Sequence, residues 1–223
     1  MQKKKASKTA IEKALDLIEI LKNNDDIGVT ELSKILGLNK NNVFRLLATL
    51  EVEGLIEQDL ETGHYKLGMR TLYLENAYLK SLKFLEPAKP LMRQLRNKIN
   101  ETIYLSILHK KDIIYIFSIE SKSSVLVHSR VAKHYPAENS AAGKSILRAK
   151  KEDGFFIEKD FEETEKEVSE IATVIRDENG YPLSSISIVA PVFRLNKENY
   201  KQFEQPLIKT AKEISEKLVS SKV

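Results

Sequence analysis

Thr30-Glu-Leu-Ser-Lys-Ile-Leu-Gly-Leu-Asn-Lys-Asn-Asn-Val-Phe-Arg-Leu-Leu-Ala-Thr-Leu50 reads as two helices around a break. Residues 30–36 place Leu32, Ile35 and Leu36 on one face, with Thr30 expected as the N-cap. Gly37-Leu38-Asn39 stops this helix, because glycine adopts the left-handed C-cap conformation at little cost and Asn39 can cap the next helix. That second helix, expected over residues 40–53, carries Val43, Leu46, Leu47 and Leu50 at the spacing of one buried stripe. Asn41, Arg45, Ala48 and Thr49 are left opposite, with Asn42 and Phe44 at the borders. No acidic residue occurs between Lys40 and Leu50, so this face would not repel phosphate. Asparagine and arginine pair bidentately with adenine and guanine edges in the major groove. Taken alone, the periodicity suits any amphipathic helix with a polar surface.

The continuation narrows the reading. Gly54-Leu-Ile-Glu-Gln-Asp59 and His64-Tyr-Lys-Leu67 are short β-prone runs around a turn ending in Gly63, which predicts a hairpin directly after the second helix. His64 and Lys66 are expected near its tip, where a wing meets the sugar-phosphate backbone. Helix, turn, helix and hairpin in this order make a winged helix-turn-helix, a device for setting one helix into double-stranded DNA. Its candidate contacts are Thr30, Lys40, Asn41, Asn42, Phe44, Arg45, Thr49, His64 and Lys66.

Residues 69–85 read as a helix whose apolar positions, Leu72, Tyr73, Leu74, Ala77, Tyr78, Leu79 and Leu82, cover more than one face. A second chain is the natural cover, and a two-fold axis would match two reading helices to a palindromic operator. Beyond Pro87 the pattern becomes α+β. Residues 102–109, 113–120 and 124–131 are rich in β-branched and aromatic side chains and predict antiparallel strands. A helix is expected over 141–150, then strands over 170–176 and 183–189 joined by the turn Asp177-Glu-Asn-Gly180, then a terminal helix over 198–219. An antiparallel sheet with helices at one face is the expected arrangement. The domains are then 1–69 for DNA binding, 70–85 as linker and dimerisation helix, and 86–223 as the second globular domain.

The 223 residues contain no Cys, which excludes disulfides, thiolate nucleophiles and cysteine-ligated zinc. His64, His109, His128 and His134 offer no close ligand pair on a helix, so no metal and no cofactor is expected. Gly143-Lys144-Ser145 imitates the end of a phosphate loop, but Glu138 stands where that loop needs glycine. No catalytic constellation emerges, and an enzyme is not expected. No apolar run approaches the ~20 residues that cross a bilayer, and the start lacks a signal-peptide pattern, so the expected location is cytoplasmic with no membrane partner. The net charge of +4 is not concentrated in the DNA-binding half, where residues 1–70 hold 11 Lys and Arg against 11 Asp and Glu. Placement matters more: Lys3, Lys4, Lys5 and Lys8 form a terminal arm that could track the DNA backbone, although such an arm also serves simply as a soluble terminus.

Thr9-Ala-Ile-Glu-Lys-Ala-Leu-Asp-Leu-Ile-Glu-Ile-Leu21, Val29-Thr-Glu-Leu-Ser33, Phe44-Arg-Leu-Leu-Ala-Thr-Leu50 and Gly63-His-Tyr-Lys-Leu-Gly68 closely resemble the IclR family of bacterial and archaeal transcriptional regulators. Ser140-Ala-Ala-Gly-Lys-Ser-Ile-Leu147 and Asp177-Glu-Asn-Gly-Tyr-Pro-Leu-Ser-Ser-Ile-Ser-Ile-Val-Ala-Pro191 are similar to later signatures of that family, as is the helix beginning near Pro87. The resemblance implies a homodimer, or a tetramer, whose C-terminal domain is GAF-like and binds a small organic acid effector. It implies an effector site with backbone amides at Ala141, Ala142 and Gly143 and polar groups at Asp160 or Glu158, Glu170 and Ser187; apolar strand residues such as Leu126 are expected as its walls. Several departures accompany it. Glu170 stands where many members have cysteine, Val189 replaces a serine, Glu165-Lys-Glu167 replaces a glycine turn, and a helical stretch after residues 149–153 is missing. A smaller pocket, a pocket open on one side and no pocket all remain open, the last giving a DNA-binding or architectural dimer without an effector.

Overall fold

The computed structural model describes residues 8–220, which fall into two compact units divided between Ser81 and Leu82. Of the basic arm, Lys8 is described and pairs with Asp16 at 2.6 Å, whereas Lys3, Lys4 and Lys5 lie outside the described residues.

The first unit is built on α1 (Ala10–Lys22), which opens with a capping box: the Thr9 hydroxyl accepts from the Glu12 amide at 3.2 Å, and the Glu12 carboxylate accepts from the Thr9 amide at 2.6 Å. The next helix, α2 (Val29–Leu36), starts earlier than expected, and its N-cap is Gly28 rather than Thr30. The cause lies one residue upstream, where Ile27 bridges Tyr65 as an edge-strand residue, leaving only Gly28 to turn the chain into the helix. Gly37 ends α2 with φ 63°, a conformation that suits glycine. Asn39 caps α3 (Lys40–Val52) by accepting from the Asn42 amide at 2.9 Å. Then β1 (Ile56–Gln58) and β2 (Tyr65–Leu67) pair antiparallel as the wing. Leu17, Leu21, Ile27, Leu32, Val43, Leu47, Leu50, Ile56 and Tyr65 form one core that ties all these elements together. Only α4 (Arg70–Ser81) contributes no buried residue. It is shorter than the helix expected to 85: residues 82–84 are not helical, and a new helix begins at Leu85, with Pro87 in its first turn, where the missing N–H costs no hydrogen bond.

The second unit begins with α5 (Leu85–Ile99) and continues into β3 (Thr102–His109), β4 (Asp112–Ile119) and β5 (His134–Pro136). After α6 (Ala141–Ala149) come β6 (Glu158–Phe161), β7 (Val168–Arg176), β8 (Pro182–Pro191) and α7 (Lys201–Ser220). The strands form one antiparallel sheet in the order β5-β4-β3-β8-β7-β6. Tyr104, Tyr115, Ala172 and Val189 meet Ala141, Ala142 and Ile146 of α6. The alternate residues Ile103, Leu105, Ile171 and Ile188 are equally buried, and α5 and α7 pack on their strands. Helices therefore cover both faces of the sheet, not one, which is why β7 is buried along its whole length.

Two strand expectations change. Residues 124–130 are irregular, and the sheet edge is taken by His134–Pro136 instead. Tertiary contact overrides propensity here: the Arg130 amide donates to the Tyr104 hydroxyl at 3.2 Å rather than to a neighbouring strand, and the Arg130 side chain is buried while Leu126 is exposed. Conversely, Glu158-Lys-Asp-Phe161, too polar to be read as a strand, pairs with β7 and sets Asp160 opposite Glu170.

Candidate nucleic-acid interface and sensor site

Packing of α3 through Val43, Leu47 and Leu50 leaves Lys40, Asn41, Asn42, Phe44, Arg45, Ala48 and Thr49 exposed. Among the described residues no carboxylate pairs with Lys40 or Arg45, so both cations are available to a ligand. Thr49 is less free, since its hydroxyl donates to the Arg45 carbonyl at 2.9 Å. On one flank of α3, Phe44 shares an open groove of about 550 Å³ with Thr30, Lys34, Gln58 and His64. On the other, Asn42, Arg45 and Thr49 line a groove of about 270 Å³ with Ala10 and Lys13. The start of α2 also faces the first groove. Gly28 gives no side-chain cap, and although the Glu31 amide donates to the Gly28 carbonyl at 3.1 Å, the Val29 and Thr30 amides have no partner among the described residues, and such amides are suited to phosphate.

The wing differs from expectation. Its tip is 59–63, where the Asp59 carboxylate accepts from the Glu61 and Thr62 amides at 2.9 and 2.8 Å. These amides hold the Asp59 carboxyl below its usual range. The tip is thus acidic. Lys66 sits in mid-strand opposite Glu57, and His64 turns back to Asp26 at 2.8 Å. The imidazole also lies over Gly28, where an added Cβ would stand 3.1 Å from His64 Cδ2. His64 therefore braces the wing against the start of α2.

In the second unit, Ala141, Ala142, Glu170 and Ser187 come together between α6 and the sheet, with Asp160 alongside on β6. Two of the three amides named from the sequence already have partners. That of Gly143 donates to the Ser140 hydroxyl at 3.1 Å, and that of Ala142 points at Glu170 Oε2 at 3.5 Å. Gly143 serves close packing, because a Cβ there would fall 2.3 Å from the Ala137 carbonyl oxygen. Asp160 is turned to a local task, accepting from the Glu163 and Thr164 amides at 2.8 and 3.2 Å. Leu126 lies in the exposed loop and forms no wall.

Sequence reading missed the groups that define this cluster. Tyr115 Oη donates to the Glu170 carboxylate, 2.9 and 3.0 Å from its two oxygens, and Arg130 Nη1 lies 3.5 Å from Glu170 Oε2 and 3.2 Å from Tyr115 Oη. Arg130 Nη2 reaches Glu165 at 3.3 Å, and the guanidinium carbon stands 5.5 and 5.2 Å from the ring centroids of Tyr115 and Tyr135. Burial raises the Glu170 carboxyl above the usual glutamate range, with Arg130, Ser187 and Tyr115 pulling against it. Burial, then Glu170, push the Tyr115 phenol well above its ordinary value, which keeps it a proton donor. Ser187 Oγ lies near enough to influence Glu170 but makes no hydrogen bond of ordinary geometry, and Arg130 Nε is likewise buried without a partner. One signal was present: Arg130 is a lone charge in a run otherwise read as an apolar strand.

Comparison with known proteins bears on both units. The IclR helix-turn-helix domain model matches residues 10–60. The model for the C-terminal domain of bacterial IclR transcriptional regulators matches 76–156 and 157–216, and the junction of its two segments falls in the region where a helical stretch is missing from the sequence. The HTH-type transcriptional regulator XynR of Escherichia coli is 30% identical over 139 residues, a match spanning 62% of this chain and 55% of that protein. KdgR of the same organism is 25% identical over 250 residues, spanning 96% of this chain and 94% of the relative. An IclR homologue from Microbacterium hydrocarbonoxydans, solved with 4-hydroxybenzoate, has the same fold, with a TM-score of 0.80 at 17% identity over 96% of this chain and 100% of that one. Because the family models take in both units, with α3 inside the first match and the Arg130–Glu170 cluster inside the second, this chain belongs to the IclR family and is a DNA-binding transcriptional regulator.

Proposed function

We propose that the protein acts in the cytoplasm as a homodimer on a palindromic double-stranded operator, with the C-terminal unit as its sensor for a small molecule. The carrying observation is the exposed face of α3, where Asn41, Asn42, Lys40 and Arg45 are exposed and, among the described residues, neither cation pairs with a carboxylate. Arg45 and the two asparagines are the base readers, and Lys40 with the opening amides of α2 meets the backbone. Two copies are supported by α4, whose Tyr73, Leu74 and Tyr78 remain more than half exposed.

Arg45→Ala is expected to weaken operator binding by about 1–3 kcal/mol while leaving the circular dichroism spectrum and the oligomeric mass unchanged. Lys40→Ala should instead weaken operator and unrelated DNA alike and reduce the salt dependence of binding. Unchanged operator affinity for Arg45→Ala in a mobility-shift titration would remove Arg45 from the interface.

The sensor reading has two forms. A small organic acid would meet the start of α6, with Ala141, Ala142, Gly143 and Ser187 around it. A regulator needing no anionic effector is the second form, and it is favoured by one observation: a carboxylate of the chain itself already lies against the Ala142 amide.

A further inference from the structure

Glu170 is a fully buried carboxylate in the middle of a strand, among side chains that an apolar residue would suit as well. Stability alone gives little reason for such a group, since apolar replacement of a whole buried ion pair is often neutral or stabilising. What surrounds it is an anion cradle. Three donors from three separate parts of the unit converge on it: Tyr115 Oη from β4, the Ala142 amide from α6, and Arg130 Nη1 from the irregular loop. Two further polar atoms of these residues, Ser187 Oγ beside the carboxylate and Arg130 Nε, are buried and make no hydrogen bond of ordinary geometry among the described residues. Ser187 pairs in register with Ala172 on one side and Tyr104 on the other, both members of the cluster that faces α6.

We propose that Glu170 is a tethered anion filling the carboxylate position of the sensor unit, so that the unit is held in its anion-bound arrangement by its own side chain and takes no free carboxylate. The regulatory meaning rests on the sensor reading above; the anion site itself does not. Truncation should expose the site. Glu170→Ala removes the side chain beyond Cβ, and acetate restores the missing methylene carbon and carboxylate in number and charge.

The test is thermal unfolding of the full chain in sodium acetate against sodium chloride at equal ionic strength, for wild type, Glu170→Ala and Glu170→Gln. Wild type is expected to melt at the same temperature in both salts. Glu170→Ala should melt lower in chloride and recover by several degrees in acetate with a saturable midpoint in the millimolar range, since a ligand of the folded state alone raises its melting temperature. Glu170→Gln should show no acetate effect, because its side chain still fills the space. Acetate stabilisation of wild type, or a Glu170→Ala protein indifferent to the anion, would overturn the proposal. If Glu170→Ala does not fold in chloride, refolding in acetate supports the tethered anion and failure in both salts overturns it. Operator titration of Glu170→Ala with and without acetate then separates the two ideas. Rescue of melting together with an acetate-dependent change in operator affinity supports both. Rescue of melting with no such change keeps the tethered anion and overturns the sensor reading.

Discussion

Replacing Arg130 with alanine is expected to destabilise the C-terminal unit by about 3–5 kcal/mol, because it leaves the buried Glu170 carboxylate without its cation. For a unit of this size the melting temperature should fall by on the order of 10 °C. Glu170→Ala should cost less, since Arg130 keeps its contact with Glu165, which is partly exposed and already solvated. The asymmetry distinguishes a pair embedded in a cradle from one that acts only by mutual attraction. Arg130→Met combined with Glu170→Leu removes both charges and should recover most of the loss. Denaturant unfolding of these four proteins and of the Arg130→Ala/Glu170→Ala double variant gives both the cycle and the apolar replacement. An Arg130→Ala protein as stable as wild type would mean that the pair is irrelevant to this fold.

The second large effect concerns α4. Tyr73, Leu74, Ala77 and Tyr78 recur at helical spacing as one exposed stripe, with Tyr73 and Leu74 at 68% and 58% exposure. Leu79 and Leu82, also expected in the interface, lie off this stripe: Leu79 is half-buried on another face, and Leu82 is beyond the end of the helix. Changing Leu74 and Tyr78 together to aspartate should therefore dissociate a dimer at micromolar concentration. Because each half-site is then bound alone, operator affinity should fall by roughly 10²–10⁴-fold, the gain that linked sites confer. Sedimentation and mobility shift on one preparation decide the matter. A double variant that stays dimeric and binds the full operator as wild type does would assign the interface to another surface.

The amino-terminal half was legible in the sequence because its elements are set by local chemistry. A capping asparagine, a left-handed glycine and a stripe of four apolar residues fix α3 and its exposed face without reference to distant residues. The same reasoning failed wherever a long-range contact decided the geometry. The bridge from Ile27 to Tyr65 moved the cap of α2 from Thr30 to Gly28, and His64 turned back to Asp26 instead of projecting from the wing. The sensor site shows the limit most clearly. Sequence alone determined the central strand pattern, the glycine-bearing start of α6 and the presence of an unusual acid at Glu170. That this acid meets Tyr115, Arg130 and the Ala142 amide was decided by tertiary structure, because the partners stand 55, 40 and 28 positions away along the chain. Periodicity reports which face of an element is buried; it carries no information on which buried polar groups of different elements neutralise one another.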